Sequence, residues 1–506
     1  MTARHARWAF PVALFVAFGG LLLTWVIGTP LFAVPDEPAH WYKAYGTAHG
    51  EAIGSAYPGL PDNVRLFDAP AEMGVPDLQC YFGKPDVSAA CADHVAGPAI
   101  STAALVPPIW YAVVGGSARV IGAETSQRAY RAIGAAIVAA LLAAALAAER
   151  VAGYRRWSPG RRLGITPMAL SLAAGVNPNG FEIAAFATIW ALATRIRPDA
   201  RATWQAGVAV GALAGTAILS RFAASIWLCT TVAVVAIAFG FVEVRRVASR
   251  AFLAPCLGLL TLSGAALVAW SEYVGFEVRD AAAASDWTRW HVITYTVGAL
   301  PDITQQMIGV LGWLDTDLPV VVYVAAFVAS AISVAGVALS RNRRLITATF
   351  ALVGLLVTVP VVVNTVTAPT AGLVWQGRYS LSLFVGLGVL GAMGWGSALR
   401  PAPSAMVVRG VRLAVVVCFA IAEFAGFWEM LRRFTVGAQG RWWLTGPLPW
   451  RPEVAPMALV AGNLAFVVAI ATVLLVGTGG TTTTLAADDP FGPSGGDSLP
   501  SAGSAE

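Results

Sequence analysis

Residues 8–27 read WAFPVALFVAFGGLLLTWVI, a run without a single charge. A helix of that length rises about 30 Å, the thickness of the hydrocarbon core of a bilayer. Similar apolar runs recur as far as Val476, and the 506-residue chain is 57% hydrophobic and only 12% charged. A soluble core of this size needs a charged shell that such a composition cannot supply. Lipid offers the backbone no hydrogen bonds, so these runs are helices; a barrel would show short alternating segments. The first run leads into Gly28-Thr29-Pro30 with no small-x-small cleavage site, and it reads as a retained helix. The expected fold is an all-α integral membrane protein.

The arginines orient it. With Arg4 and Arg7 in the cytoplasm, twelve spans are expected at about 8–28, 129–149, 164–178, 181–194, 204–220, 222–241, 251–271, 319–340, 345–366, 379–397, 411–430 and 455–476. The cytoplasmic turns then carry Arg150/Arg155/Arg156/Arg161/Arg162, Arg195/Arg197/Arg201, Arg245/Arg246/Arg250, Arg341/Arg343/Arg344 and Arg400/Arg409/Arg412, while most Asp and Glu fall outside. Residues 102–121 contain Pro107-Pro108 and would reverse every later loop if they spanned, so they are assigned to an interfacial helix on the exoplasmic surface. The polytopic domain covers residues 1–476, with exoplasmic loops at about 29–128 and 272–318. Residues 477–506, rich in Gly, Thr, Ser and Pro, are expected to be a disordered cytoplasmic tail. Both termini are thus cytoplasmic. The formal charge of +5 comes from scattered arginines and is no nucleic-acid signature. No internal repeat points to an inverted-repeat transporter.

Of the five cysteines, Cys229, Cys256 and Cys418 fall inside spans as small packing residues. Cys80 and Cys91 share the first exoplasmic loop, where a disulfide would staple a segment with little core of its own.

Several polar groups stand where polarity is costly. In Pro35-Asp36-Glu37-Pro38-Ala39-His40-Trp41, two adjacent carboxylates and an imidazole follow directly on a span. Adjacent acids beside lipid repel and call for a reason. Asp36 or Glu37 could be a general base for an acceptor hydroxyl, or the pair could hold a divalent cation such as Mg or Mn. The plainer reading is a helix start, with Asp36 as cap and Glu37 in the first turn. Asn177-Pro178-Asn179-Gly180-Phe181-Glu182 forms a hairpin apex between helices too short for the bilayer, so Glu182 is expected on the floor of a polar cavity or, alternatively, in a plain turn in thinned membrane. Gln376-Gly377-Arg378-Tyr379 places an arginine at the interface, where it could fork onto phosphate or merely snorkel beside an aromatic anchor. Arg221 invites the same two readings. Arg289 and His291 lie in the polar-aromatic stretch Asp286–His291 outside the membrane, suited to sugar stacking or to an interfacial aromatic belt. Glu423 falls mid-span and fits either an ion pathway or a hydrogen-bonded structural acid. Glu429 reads as solvated. There is no Walker loop, dinucleotide fingerprint, His-Glu-x-x-His or Cys-x-x-Cys, which argues against ATP hydrolysis, nicotinamide binding and zinc proteolysis.

Taken in order, Pro35-Asp36-Glu37-x-x-His40, Pro107-Pro108-x-x-Tyr111, the segment Leu311-Gly312-Trp313-Leu314-Asp315-Thr316-x-Leu318-Pro319, and Gln376-Gly377-Arg378-Tyr379 resemble the bacterial membrane family called domain of unknown function 2142. The likeness runs over roughly residues 8–475. That family is similar in layout to the C-type glycosyltransferases, which take sugar from a polyprenyl-phosphate donor and carry an acidic motif in the first exoplasmic loop. The resemblance implies a multi-pass protein of the bacterial cytoplasmic membrane. By that resemblance Asp36 or Glu37 would be the base or would hold a cation; beside it, the residues' own chemistry makes Arg378, and after it Arg221, candidates to meet the donor phosphate, and His40, Glu182, Arg289, His291 and Tyr379 candidates to line the substrate. The second acid that such enzymes often show corresponds at best to Glu182, displaced from the place beside Asn179. The acceptor would be an exoplasmic envelope glycan or lipid. Two other classes stay open: a lipid or polysaccharide transporter, in which Glu423 and Arg221 matter more, and a non-catalytic envelope assembly protein.

Overall fold

The computed structural model describes residues 3–59, 61, 63–76, 80–92, 94, 95, 97–151, 165–194, 202–275, 287–399 and 405–476. The tail 477–506 and Arg155, Arg156, Arg161, Arg162, Arg195, Arg197, Arg201 and Arg400 lie outside these residues.

The chain opens with α1 (Ala3–Gly28) and α2 (Glu37–Ala48). A loop follows with strands β1 (Ser55–Ala56), β2 (Arg65–Phe67), β3 (Val75–Pro76), β4 (His94–Val95) and β5 (Ala99–Ser101), then α3 (Ile109–Val120). Next come α4 (Gln127–Val151), α5 (Pro167–Ala173), α6 (Asn179–Ala193), α7 (Trp204–Ser220), α8 (Ala223–Phe239), α9 (Phe241–Val247) and α10 (Arg250–Val274). The short helices α11 (Arg289–Gly298) and α12 (Leu300–Gly309) lead to a hairpin of β6 (Val310–Leu311) and β7 (Thr316–Asp317). The bundle closes with α13 (Val320–Leu339), α14 (Arg343–Ala371), a 3-10 turn at Gly377–Ser380, α15 (Leu381–Ala398), α16 (Ala405–Val436) and α17 (Pro456–Val476).

The protein is a multi-pass, predominantly helical membrane protein, but the expected twelve spans are too many. Among the described residues, eight helices are long and apolar enough to cross, in α1, α4, α10, α13, α14, α15, α16 and α17. A ninth is reached only if α8 and α9, bent by 105°, count as one. The expected spans 164–178, 181–194, 204–220 and 222–241 fall on shorter helices. α5 has 7 residues, α6 has 15, and α7 and α8 have 17 each. At about 1.5 Å per residue the first two fall well short of the hydrocarbon core. α5 is buried throughout and α6 over nearly its whole length, so both are apolar because protein, not lipid, surrounds them. Composition alone does not separate those two environments.

The fold is also not wholly α. In the first loop, β2 pairs antiparallel with both β1 and β5, and β3 with β4; β6 and β7 form a separate hairpin. Cys80 and Cys91 are joined in a disulfide, with Cα atoms 5.8 Å apart. Arg433, fully buried at the end of α16, ties this region together. It donates to the carbonyls of Tyr81, Lys84 and Val87, to Thr316 Oγ1 and to Asp315 Oδ2 at 3.0 Å. Glu429, read above as solvated, is instead buried against Arg432, whose Nη2 lies 2.7 Å from Oε1.

Helix packing sets α2 in place. It lies against α3, where Gly115 permits close approach: a methyl there would stand 2.2 Å from the Ala44 carbonyl oxygen. The stronger constraint is ionic. Arg131, in the second turn of α4, meets Glu37 through two hydrogen bonds, Nε to Oε1 at 2.7 Å and Nη2 to Oε2 at 2.6 Å, with both side chains wholly buried. Its remaining donors reach the carbonyls of Val26, Thr29 and Pro30 at the end of α1. One guanidinium thus joins α1, α2 and α4. Removing one partner of such a pair leaves a buried charge and costs about 3–5 kcal/mol. Glu37→Ala is therefore expected to lower the thermal midpoint in detergent sharply, whereas the apolar double replacement Glu37→Leu with Arg131→Met should recover most of the loss. A single variant as stable as wild type would contradict the role given to the pair.

Candidate functional site

Asp36 takes the N-cap position of α2 without acting as a cap. Its backbone is left-handed, φ 62°, and its side chain makes no hydrogen bond to the helix start. An L-residue rarely adopts this conformation unless its surroundings enforce it, and such strain gathers at functional positions. The cause is local: Glu37 is drawn inward to Arg131, and the Val176 N–H donates to the same carboxylate at 3.2 Å. Asp36, one residue earlier, is turned the opposite way. Its Oδ2 accepts from Arg378 Nη2 at 2.6 Å, and its side chain remains 43% exposed.

The apex residues lie directly beneath. Asn177 Nδ2 donates to the Pro35 carbonyl at 3.0 Å, and Asn177 Oδ1 accepts from the Asn179 N–H that opens α6. One turn along, Glu182 is buried, accepts from Ser382 Oγ at 2.8 Å and pairs with Arg221 at 3.0 Å. Tyr379 joins the two ion pairs. The Arg221 guanidinium carbon lies 5.0 Å from its ring centroid and that of Arg378 lies 5.1 Å away, while Tyr379 Oη accepts from Arg378 Nη2 at 3.2 Å. Asp36, Glu182, Arg221, Arg378 and Tyr379, drawn from four separate segments, therefore form one cluster.

Arg378 is the unusual member. It is 2% exposed, yet its Nε and Nη1 have no hydrogen-bond partner and no contact with solvent. A buried guanidinium with unused donors is costly unless something else fills them, and phosphate or carboxylate matches its geometry best.

His40, one turn into α2, shares a 2.8 Å hydrogen bond between its Nδ1 and Tyr111 Oη. Burial lowers its pKa to about 3, against the pull of Asp36 and aided by Arg221 and Arg378. It is neutral at physiological pH. The same burial pushes the Tyr111 phenol upward. Lys43, one turn further, donates to the carbonyls of Ala52 and Ala104 and faces the Trp270 ring at 5.3 Å. Burial brings its pKa down to about 7.

The structure separates other residues expected together. Glu37 does not face the cluster. Arg289 and His291 are exposed on α11, which packs on α14, and the Trp287 ring lies 4.4 Å from His291. Asp36 and Glu37 point apart, each onto its own arginine, so the pair does not fit a divalent cation. Among the described residues no group of three or more His, Cys, Asp or Glu side chains could hold a metal ion. Arg131, Trp227 and Trp375 went unnoticed in the sequence. The first could have been found, because an arginine within the first two turns of an apolar helix demands a carboxylate.

The sequence matches the family described as "Predicted membrane protein (DUF2142)" over residues 18–387. The chain belongs to this family. Its matched stretch contains every member of the cluster. Among curated proteins, none matches significantly. Among solved structures, the apo form of the Archaeoglobus fulgidus oligosaccharyltransferase is similar with a TM-score of 0.35 and 15% identity, covering 84% of this chain and 56% of that one. The chain thus spans little more than half of that protein, and likeness at this level decides nothing about activity.

His40 yields a signed expectation. The unfolded imidazole takes its proton near pH 6.5 and the folded one only near 3. Between those values the unfolded state binds more protons, so stability is fully present above pH 6.5 and declines as the pH falls toward 3. Thermal midpoints of wild type should therefore fall relative to His40→Gln below pH 6.5, with a constant difference above pH 7. Parallel curves throughout would contradict a buried neutral imidazole.

Proposed function

We propose that this protein is a membrane glycosyltransferase that moves a sugar from a polyprenyl-phosphate donor to an exoplasmic envelope glycan or lipid. The observation that carries the reading is Arg378, buried beside an exposed carboxylate with two donors unfilled. In this reading the phosphate of the donor occupies those donors, while its isoprenoid tail stays in lipid. Arg221, held by Glu182 and by the ring of Tyr379, adds a second positive charge.

The chemistry needs one base and one cationic site for the leaving group. The acceptor hydroxyl oxygen attacks the anomeric carbon, and its proton passes to the Asp36 carboxylate. The bond between that carbon and the phosphate oxygen breaks, and its electron pair leaves with the polyprenyl phosphate, whose charge Arg378 and Arg221 stabilise. Glu37 has no part in this, because both its oxygens are held by Arg131. No step is assigned to a divalent cation.

Orientation supports the reading. The turn Arg341–Arg344 lies at one end of α14 and Arg378 follows the other end, so a helix of about 40 Å separates them. Placing the arginine-rich end in the cytoplasm puts the cluster at the exoplasmic interface, where a lipid-borne headgroup resides.

Transfer from an isolated polyprenyl-phosphate-sugar fraction, followed by mass spectrometry of glycan products, tests the proposal. Asp36→Asn, which keeps an oxygen to accept from Arg378 Nη2, should still fold and should lower turnover by at least about 100-fold, as loss of a general base does. Arg378→Lys, which keeps the charge and loses the fork, should chiefly raise the KM for donor. Unchanged products in both variants would remove the proposal.

Glu423 favours a second reading, transport. It is fully buried in α16 and neither of its carboxylate oxygens has a hydrogen-bond partner. A lipid-translocation assay in which Glu423→Gln is dead and Asp36→Asn is silent would select that alternative.

A further inference from the structure

The aromatic residues of α11 have no part in the Asp36–Arg378 cluster, yet they are ordered in space. Only Val292 and Thr296 of this helix are buried, one turn apart. They mark the side turned to α14, where Thr296 Oγ1 accepts from Asn364 Nδ2 at 3.3 Å. Trp290, 72% exposed, and Val297, 49% exposed, stand two turns apart and share the far side. Beside them the rings of Trp287 and Tyr295, both exposed, lie 5.2 Å apart. A helix facing water carries polar groups on its outer side; this one carries rings and a valine.

Depth decides what covers that side. Asn364, which holds Thr296, lies about 31 Å along α14 from Arg343. With the Arg341–Arg344 turn at the cytoplasmic surface, that length crosses the ~30 Å hydrocarbon core and sets α11 at its outer boundary. Indole and phenol rings gather in this layer because each joins an apolar body to a polar edge. The charge on α11 narrows the choice further. It carries the exposed Arg289 and no acid, and a guanidinium fork matches the phosphate of a headgroup. A glycan could stack on the same rings, but it would have no use for Val297 and would not lie where acyl chains begin.

We propose that α11 is an interfacial helix seated in the outer leaflet, with Trp290 and Val297 among the upper acyl carbons and Arg289 on the phosphate of an anionic phospholipid. This seat does not depend on the transfer reaction proposed above. It does bear on the cluster. α12 follows after one residue, and its Gln306 Oε1 accepts from the Gly377 N–H at 2.9 Å, next to Arg378. Gly377 permits that approach, since a methyl there would collide with the Ile303 carbonyl. The lipid-seated helix thus leads straight into the one that braces the arginine turn.

The test uses the full-length protein in nanodiscs, with Cys229→Ala, Cys256→Ala and Cys418→Ala so that one added thiol takes a fluorophore. Val297→Cys is the probe position, and Ser55→Cys, exposed in the first exoplasmic loop, is the water-facing reference. Phospholipid spin-labelled near the top of its acyl chain should quench the fluorophore of Val297→Cys strongly and that of Ser55→Cys little, and aqueous iodide should do the reverse. Spin-labelled phosphatidylglycerol should be enriched about fivefold over spin-labelled phosphatidylcholine at the Val297→Cys fluorophore, and Arg289→Gln should remove that preference. Iodide quenching as strong at Val297→Cys as at Ser55→Cys overturns the proposal and leaves α11 as a platform for a soluble partner. Equal quenching by the two lipids while Arg289 is in place overturns it as well.

Discussion

The arrangement depends on one buried ion pair. Glu37 and Arg131 are 94 residues apart in sequence, wholly shielded from solvent, and joined through both carboxylate oxygens. Two charges taken out of water this completely persist only when their geometry is good and the remaining donors are used. Arg131 uses them on the carbonyls that end α1. The pair therefore fixes how α2 is rotated against α1 and α4. With Glu37 committed inward, its neighbour cannot also turn inward, and Asp36 is left in a left-handed conformation facing Arg378.

From that division the electrostatics of the cluster follow. Adjacent carboxylates that would repel are each given their own arginine, on opposite sides of one backbone. A second acid–arginine pair, Glu182 with Arg221, stands behind the first, and the Tyr379 ring lies within about 5 Å of both guanidinium groups. Cations held against an aromatic ring away from water lose little to screening. The result is a site in which positive charge is fixed in place before any ligand arrives, while the one exposed acid stands at its mouth. Preorganised charge of this kind stabilises a departing anion without rearrangement.

Much of this was legible in the sequence. The long apolar runs marked a multi-pass helical protein, and cost arguments singled out Asp36, Glu182, Arg221, Arg378 and Tyr379 one at a time. What the sequence hid was which of the two adjacent acids meets the arginine. Asp36 and Arg378 are separated by 342 residues, and nothing local tells Asp36 from Glu37 until Arg131 is seen to claim the second. The span count failed for a related reason. α5 and α6 are as apolar as spanning helices, yet neighbouring helices rather than lipid bury them. Arg289 and His291 looked like members of the site because of their aromatic company, but α11 carries them on an exposed surface. The partnerless indole of Trp375 had no sequence signal, since an unsatisfied atom is defined only by what surrounds it.

The central claim is that the buried, half-used guanidinium of Arg378 grips a lipid-borne phosphate. Phosphorus-31 NMR of a short-chain polyprenyl phosphate, titrated with the protein in nanodiscs, addresses it without knowledge of sugar or acceptor. Wild type should shift and broaden the phosphate resonance saturably, and Arg378→Gln should leave it where it lies in empty nanodiscs. An unperturbed resonance with wild type, or the same perturbation with both proteins, would contradict the claim.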